Sequence, residues 1–378
     1  MKYKLKDVCN FYSGTGFPTK YQGEIEGDYP FYKVGDITNN VIAGNIYLEM
    51  CNNYVSIDTV KKIKGCVLPP NTVVFAKIGE ALKLNRRAIT SCACLIDNNA
   101  MGIAPKEDTL RIQYFYFFMK NLKMQVLAES TTVPSVRKTI LEDYEVEIPS
   151  LNIQEEIESR LTIIQDIIEK RKKELSLLDN LIKARFVEMF GDPIINPYGF
   201  PVKKIDEVAV LNKGITYSPD DISKEGIIVL RSGNIKGNAF DLEDIVRISK
   251  KISNDKLVNE NDILMCNRNG SVNLVGKVAK IPKLEEKMTF GTFMTIVRSE
   301  IFEYLFVFFQ MNAFREQIKF QTAVAINQIS LPLLASVKVP IPTNELIKEF
   351  ADFVEQVDKS RFDIKKSITE LEREVVYD

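Results

Sequence analysis

Apolar residues recur in alternating steps of four and three along two long stretches of this chain, and such a period is satisfied by a helix that packs its stripe against another helix. The first stripe is Ile157, Leu161, Ile164, Ile168, Arg171, Leu175, Leu178, Ile182, Arg185 and Met189. The second is Phe350, Val354, Val357, Arg361, Ile364, Ile368, Leu371 and Val375. At the α-helical rise the two seams would extend about 50 Å and about 40 Å, well beyond a compact domain. Heptads sustained over this length favour helix on helix over a stripe laid on its own globular part. Ile157, Leu161, Ile164, Ile168, Leu175, Leu178 and Ile182 are therefore expected to pair with Phe350, Val354, Val357, Ile364, Ile368 and Leu371.

The two seams occupy equivalent places in a duplicated chain. Lys4-Leu5-Lys6-Asp7-Val8 is echoed by Lys204-Ile205-Asp206-Glu207-Val208, and Lys33-Val34-Gly35-Asp36-Ile37 by Arg231-Ser232-Gly233-Asn234-Ile235. Asn71-Thr72-Val73-Val74-Phe75 is answered by Asn261-Asp262-Ile263-Leu264-Met265, Gln113 to Phe118 by Glu303 to Phe308, and Ile148-Pro149 by Ile341-Pro342. A spacing near 190 residues is far too long for a solenoid and marks a domain duplication. Each copy reads as short β-like runs with Gly and Asn turns, one aromatic-rich helix and a Pro-marked exit, so each globular part is α+β. The simplest arrangement pairs the two helices antiparallel as a coiled coil, with the two similar α+β domains at opposite ends about a pseudo-twofold axis. The expected boundaries are a first globular domain at 1–150, a long helix at 151–192, a second globular domain at 193–342 and a second long helix at 343–378.

Composition narrows the function. The 378 residues contain no histidine, which removes the usual general base, the Ser/His and Cys/His nucleophile pairs and the commonest metal ligand. Six cysteines include no CxxC pair, so neither a zinc ribbon nor a disulfide framework is indicated. No apolar run is long enough to span a bilayer, and Met1 to Asn10 alternates with lysines, so a cytoplasmic protein without a membrane partner is expected. The net charge of −1 conceals four blocks of alternating sign: residues 1–150 and 196–342 are basic, and 151–195 and 343–378 acidic.

Three local patterns imitate cofactor motifs and fail on context. Phe11-Tyr12-Ser13-Gly14-Thr15-Gly16-Phe17 has the look of a methyltransferase glycine loop, but the segment before it is too short and polar for a central parallel strand. Asn196-Pro197-Tyr198 lacks the second proline of the loop that stacks a flipped adenine, and it lies in a Gly/Pro-rich stretch that reads as an interdomain turn. Gly270 to Val278 has the wrong spacing for a P-loop and no Ser or Thr after Lys277.

Basic density inside each copy stands out instead. Lys61, Lys62, Lys64, Lys77, Lys83, Arg86 and Arg87 face only Glu80, and between Arg247 and Lys287 nine basic residues face five acidic ones. A solvated surface is one reading; recurrence in both copies favours DNA. Arg suits guanine and Asn suits adenine, so Arg231, Asn267, Arg268, Asn269 and Asn273 join Lys61, Lys62, Lys77, Lys83, Arg86 and Arg87 as contact candidates. The polar loops Thr131, Thr132, Ser135, Arg137 and Gln321, Asn327, Gln328 are added because they hold matching places before each proline exit.

As a whole the chain resembles the specificity subunit of type I restriction-modification systems, over nearly its full length. The similarity is carried by Ile148-Pro149-Ser150-Leu151-Asn152-Ile153-Gln154-Glu155-Glu156-Ile157 and by Phe186-Val187-Glu188-Met189-Phe190-Gly191-Asp192-Pro193. The second exit, Ile341-Pro342-Thr343-Asn344-Glu345, departs from the family pattern by lacking the glutamine. The resemblance implies a non-catalytic subunit whose two target-recognition domains each read half of a bipartite site on double-stranded DNA. It implies helices that act as a ruler and dock two adenine methyltransferase (modification) subunits, joined by restriction and translocase subunits. S-adenosylmethionine, ATP and magnesium would then belong to those partners, and this chain would hold no cofactor. A self-contained DNA adenine methyltransferase and a coiled-coil adaptor without DNA function are the alternatives; binding of S-adenosylmethionine by the isolated chain marks the first, absence of salt-sensitive DNA affinity the second. On this reading, replacing Arg86 and Arg87 with Ala weakens binding at one half-site only, as measured on duplexes altered in either half.

Overall fold

The computed structural model describes residues 2–128, 133–318 and 328–377. The chain divides into two compact units, residues 1–170 with 368–378 and residues 171–367, and the division falls within the long helices, Leu151–Phe190 and Asn344–Tyr377. The architecture is α+β, with one globular copy in each unit.

The two copies share one strand plan. In the first, Cys9–Ser13, Ala100–Pro105, Val73–Ala76 and Ala88–Thr90 lie side by side, each antiparallel to its neighbour. In the second, Val210–Lys213, Met294–Arg298, Ile263–Cys266 and Val278–Lys280 do the same. The central strands Val73–Ala76 and Ile263–Cys266 are apolar and buried at every position, as befits residues covered on both faces of a sheet. A second small sheet repeats as well. Tyr29–Tyr32 lies between antiparallel Tyr54–Val55 and parallel Leu95–Ile96, and Ile227–Leu230 between antiparallel Arg247–Ile248 and parallel Met288–Phe290. Each copy is closed by a pair of strands from its two ends, Lys2–Lys4 with Glu145–Glu147 and Val202–Lys204 with Lys338–Pro340.

Divergence is local. The first copy carries a helix, Val34–Ile42, where the second has a short 3-10 turn, Ser232–Asn234, followed by the ribbon Ile235–Lys236 with Ala239–Phe240. Both begin with the same cap: the Lys33 N–H donates to Asp36 Oδ2 at 2.8 Å, and the Arg231 N–H to Asn234 Oδ1 at 2.8 Å. Asp and Asn exchange here because either oxygen satisfies the donor.

The long helices pair antiparallel. In the second unit Phe186 lies against Phe350, Arg185 bonds Glu349 at 2.9 Å, and Asp179 bonds Arg361, so the helices run in opposite directions. Four rings from three helices meet at the base of this pair: Phe186 and Phe190, Phe350, and Tyr304 of the helix Phe302–Phe308. All are at most 3% exposed, with ring centroids 4.9 to 5.6 Å apart. Of the seam residues, Leu161, Ile168, Ile182, Phe350, Val354, Val357, Ile364 and Ile368 are buried, and Ile157, Ile164, Leu175, Leu178 and Leu371 half-buried. The arginines that interrupt the heptads are half-buried and end on carboxylates, Arg171 on Glu174, Arg185 on Glu188 and Arg361 on Asp358.

In the first unit the start of the long helix is tied down by polar groups. The Gln154 amide is fully buried; its Nε2 donates to the carbonyls of Thr109 and Pro149, and its Oε1 accepts from the Arg111 N–H, each at 2.9 Å. The Arg111 Nε donates to Glu158 Oε2 at 2.9 Å, and Leu161 joins the core of Phe115, Phe117 and Met119. The end of the second long helix reaches the same core, where Asn121 Nδ2 donates to the Val375 carbonyl at 2.7 Å.

A half-buried ion cluster fastens the sheet of the second unit to its helix pair. Lys280 Nζ donates to Glu303 Oε1 at 2.7 Å and to Asp358 Oδ2 at 2.8 Å. Burial pushes the Glu303 carboxyl above its usual range, with the Asp358 charge adding to the rise and Lys280 opposing it, and its Oε2 has no hydrogen-bond partner among the described residues. Lys280→Met strands this carboxylate, and a destabilisation of about 3 kcal/mol is expected at neutral pH. A raised folded-state pKa means that the deficit grows as pH rises and shrinks as pH falls toward the free glutamate value of about 4.3. Thermal melts of both proteins across that interval check it: a gap that does not narrow in acid refutes the assignment.

Candidate nucleic-acid interface

In both copies the central buried strand leaves the core into a turn, and the same two backbone hydrogen bonds and the same antiparallel bridge hold it. In the first copy the Lys77 N–H donates to the Asn99 carbonyl and the Val136 N–H to the Lys77 carbonyl, both at 2.9 Å, while Ile78 bridges Ser135. In the second the Asn267 N–H donates to the Phe293 carbonyl at 2.9 Å, the Ile329 N–H to the Asn267 carbonyl at 2.7 Å, and Arg268 bridges Gln328. Segments far apart in sequence thus meet at one place: Lys77 with Ser135, and Asn267 and Arg268 with Gln328. Gly79, at φ +77°, lets the first chain turn directly into the short helix Glu80–Lys83, and its N–H donates to the Pro134 carbonyl at 2.8 Å.

The candidate residues divide into those the frame collects and those it does not. Lys77 is half-buried at the strand end, and Lys83 is exposed and pairs with Glu80 at 2.7 Å. Arg86 is half-buried, Arg137 exposed, and Ser135 half-buried on the bridge. Asn269 donates from Nδ2 to Ser232 Oγ at 3.2 Å, which brings the turn beside Arg231, whose own guanidinium is held by Asp244 at 2.8 Å. Asn273 is exposed on the 3-10 turn Val272–Leu274. Thr131, Thr132, Gln321 and Asn327 lie outside the described residues.

Two expectations are corrected. Arg87 is 2% exposed: its guanidinium covers the Phe75 ring at 4.8 Å and donates to the carbonyls of Met119 and Arg86 and to Asn85 Oδ1. No carboxylate accompanies it among the described residues, and desolvation lowers its pKa. Arg87 is a core residue, because two carbonyls and an aromatic face replace the water its charge would lose. Asn267 is also buried, its Nδ2 donating to Thr295 Oγ1 at 3.0 Å, so its side chain positions the strand end and does not face outward.

Lys61 and Lys62 end a separate helix, Ile57–Lys62, capped by Ser56 and seated on the small core of Phe31, Val55 and Leu95. Much of the basic excess between Arg247 and Lys287 is committed internally as well, Arg247 to Glu286 and Lys280 to Glu303 and Asp358. Phe293, 50% exposed, was missed by sequence reasoning, as were Ile78 and Asn99. The Gly291-Thr292 turn signal before Phe293 was the available clue.

Two copies of one frame, each presenting a polar turn at the end of a buried strand and each followed by a long helix, define a paired recognition fold. The model of the type I restriction modification DNA specificity domain matches residues 1–177 and 197–373, and the chain belongs to that family. The specificity subunit of the type I restriction enzyme MjaIX of Methanocaldococcus jannaschii is 20% identical over 398 aligned positions, spanning 98% of this chain and 89% of the relative. That of StySPI from Salmonella potsdam is 27% identical over 178 residues, 44% of this chain and 38% of its own length. A chain from a solved structure concerned with complex assembly and conformational transition of the type I R-M system shares the fold, with a TM-score of 0.57 at 14% identity over 100% of this chain and 95% of that one. Among the described residues, no helix is long and apolar enough to cross a membrane.

The separation of Arg87 from the turn it flanks has a measurable consequence. Arg87→Ala is expected to cost about 3 kcal/mol of stability by stranding buried carbonyls and emptying the space over Phe75. Lys77→Ala should leave the melting temperature within about 2 °C and reduce the salt slope of DNA binding by about 1. Equal loss of stability in both variants, with the salt slope unchanged, contradicts the division.

Proposed function

We propose that this chain is the DNA-recognition subunit of a type I restriction-modification complex, with each globular copy reading one half of a bipartite site on double-stranded DNA. The observation that carries the reading is the repeated frame. The hydrogen bonds that fix Lys77 against Asn99 and Val136 recur at Asn267, Phe293 and Ile329, while the side chains presented on the two turns differ. One backbone geometry with two sets of side chains suits two half-sites of different sequence, since backbone contacts orient a reader and side chains specify bases.

The long helices serve as spacer and as docking surface for two adenine methyltransferase subunits. Their paired seam is closed by their own residues, yet Ile163, Ile167, Leu177 and Leu181 stand exposed on the first helix outside it, apolar surface suited to a partner helix. On this proposal the chain performs no catalysis itself. Partner subunits bind S-adenosylmethionine, ATP and magnesium, and the complex works in the cytoplasm with restriction and translocase subunits.

Mapping methylated adenine in host DNA with the gene intact and deleted tests the proposal. A split methylated sequence present in the first and lost in the second is expected. Persistence of every methylated sequence after deletion, with the neighbouring methyltransferase expressed, overturns it; retention of S-adenosylmethionine by the purified chain favours a self-contained methyltransferase.

A further inference from the structure

The two turns share a backbone but differ at two positions. Where the first copy places Ile78 and Asn99, the second places Arg268 and Phe293, as the matching bonds of Lys77 to Asn99 and Asn267 to Phe293 establish. The Arg268 guanidinium lies over the Phe293 ring, 5.1 Å from its centroid. Phe293 is 50% exposed, Arg268 is half-buried, and among the described residues the guanidinium makes no ion pair or side-chain hydrogen bond. The arginines of this copy nearest in sequence are occupied: Arg231 by Asp244, Arg247 by Glu286 and Arg298 by Asp262.

Its backbone is fixed from both sides. The Arg268 N–H donates to the Phe293 carbonyl at 3.3 Å, Gln328 bridges it, and the buried Asn267 side chain anchors the preceding residue to Thr295. A planar cation held over a ring loses little freedom on making further bonds, and its fork of donors is left without side-chain partners among the described residues. Guanine offers two acceptors, O6 and N7, in the major groove at the spacing of that fork.

We infer that Arg268, positioned by Phe293, reads a guanine in the half-site taken by the second copy. This rests on the recognition function proposed above. The first copy has no guanidinium at the equivalent position, so its half-site is read there by a different contact and the two halves differ.

The test selects from a duplex pool with a randomised segment, using the full chain alone and assembled with a modification subunit. Parent, Arg268→Lys, Arg268→Ala and Phe293→Ala proteins are compared after melting curves establish equal folding. The parent is expected to enrich a split sequence. Arg268→Lys and Arg268→Ala should lose about tenfold to a hundredfold of the preference for one guanine in one half, the range of one bidentate base contact, with the other half unchanged. Phe293→Ala should lose part of the same preference. A Lys variant that keeps the guanine preference makes Arg268 a phosphate contact and overturns the inference, as does an Ala variant with an unaltered sequence. A parent that enriches no sequence removes the recognition function itself, and this inference with it; a parent sequence untouched by either Arg268 variant removes the inference alone.

Discussion

Four buried aromatic rings in mutual contact are the interaction on which the second unit depends. Phe186, Phe190, Phe350 and Tyr304 come from three helices, and each contributes a buried face and an edge-to-face neighbour. Burying a side chain of this size is worth about 1.5–3 kcal/mol, and aromatic pairing adds to it. The cluster does two things at once. It sets the register in which the helices pair, with Phe186 level with Phe350, and it fixes the aromatic helix to that pair. The Tyr304 hydroxyl then donates to the Pro340 carbonyl at 2.6 Å, joining the exit strand to the same point. In the first unit the corresponding anchor is polar: Gln154 and the Arg111–Glu158 pair hold the helix start. Five residues after each proline exit stand Gln154 in one copy and Ile347 in the other, so a buried amide and a buried aliphatic occupy matching positions by different physics.

A cation is used structurally in each unit, buried in the first and half-buried in the second, and the two behave differently. Arg87 is neutralised by carbonyl dipoles and a ring face, with no acid beside it among the described residues. Lys280 sits between two carboxylates, one of which retains a bare oxygen. Removing the Arg87 guanidinium strands buried carbonyls and removing Lys280 leaves Glu303 without its cation, so both positions resist substitution for reasons unrelated to DNA. The result is a division of basic residues by depth: Arg87 and Lys280 are held within the fold by their partners, while Lys77 and Arg268 stand half-buried at the ends of the central strands.

That division explains what was and was not legible in the sequence. The heptads and the duplication could be read because each is a periodicity, and a helix of about 3.6 residues per turn converts spacing directly into a face. The offsets between Val73 and Ile263, or Gln113 and Glu303, mapped onto equivalent strands and helices for the same reason. The site could be read only in part. Lys77 and Arg268 stood out through local composition, but nothing local distinguishes Arg86 from Arg87, neighbours of identical type with opposite fates. Arg87 is buried because Met119, distant in sequence, turns its carbonyl inward, and such a partner appears only when the chain is folded. Phe293 escaped notice for the converse reason: an aromatic residue after a buried strand reads as core, and only the turn at Gly291 leaves it outside.

The frame and its cargo are thermodynamically separate. Backbone bonds fix the turns at Lys77 and Asn267, and the buried Val73–Ala76 and Ile263–Cys266 strands supply the stability beneath them. Neither the Asn99 nor the Phe293 carbonyl that receives these bonds depends on the side chain attached to it. Exposed side chains with no buried partner change stability by about 0.5 kcal/mol or less when exchanged. Ile78 and Arg268, or Asn99 and Phe293, can therefore occupy one geometry without disturbing it. A protein built this way can change what it presents on one turn while keeping its fold, its helix pairing and the chemistry of the other copy.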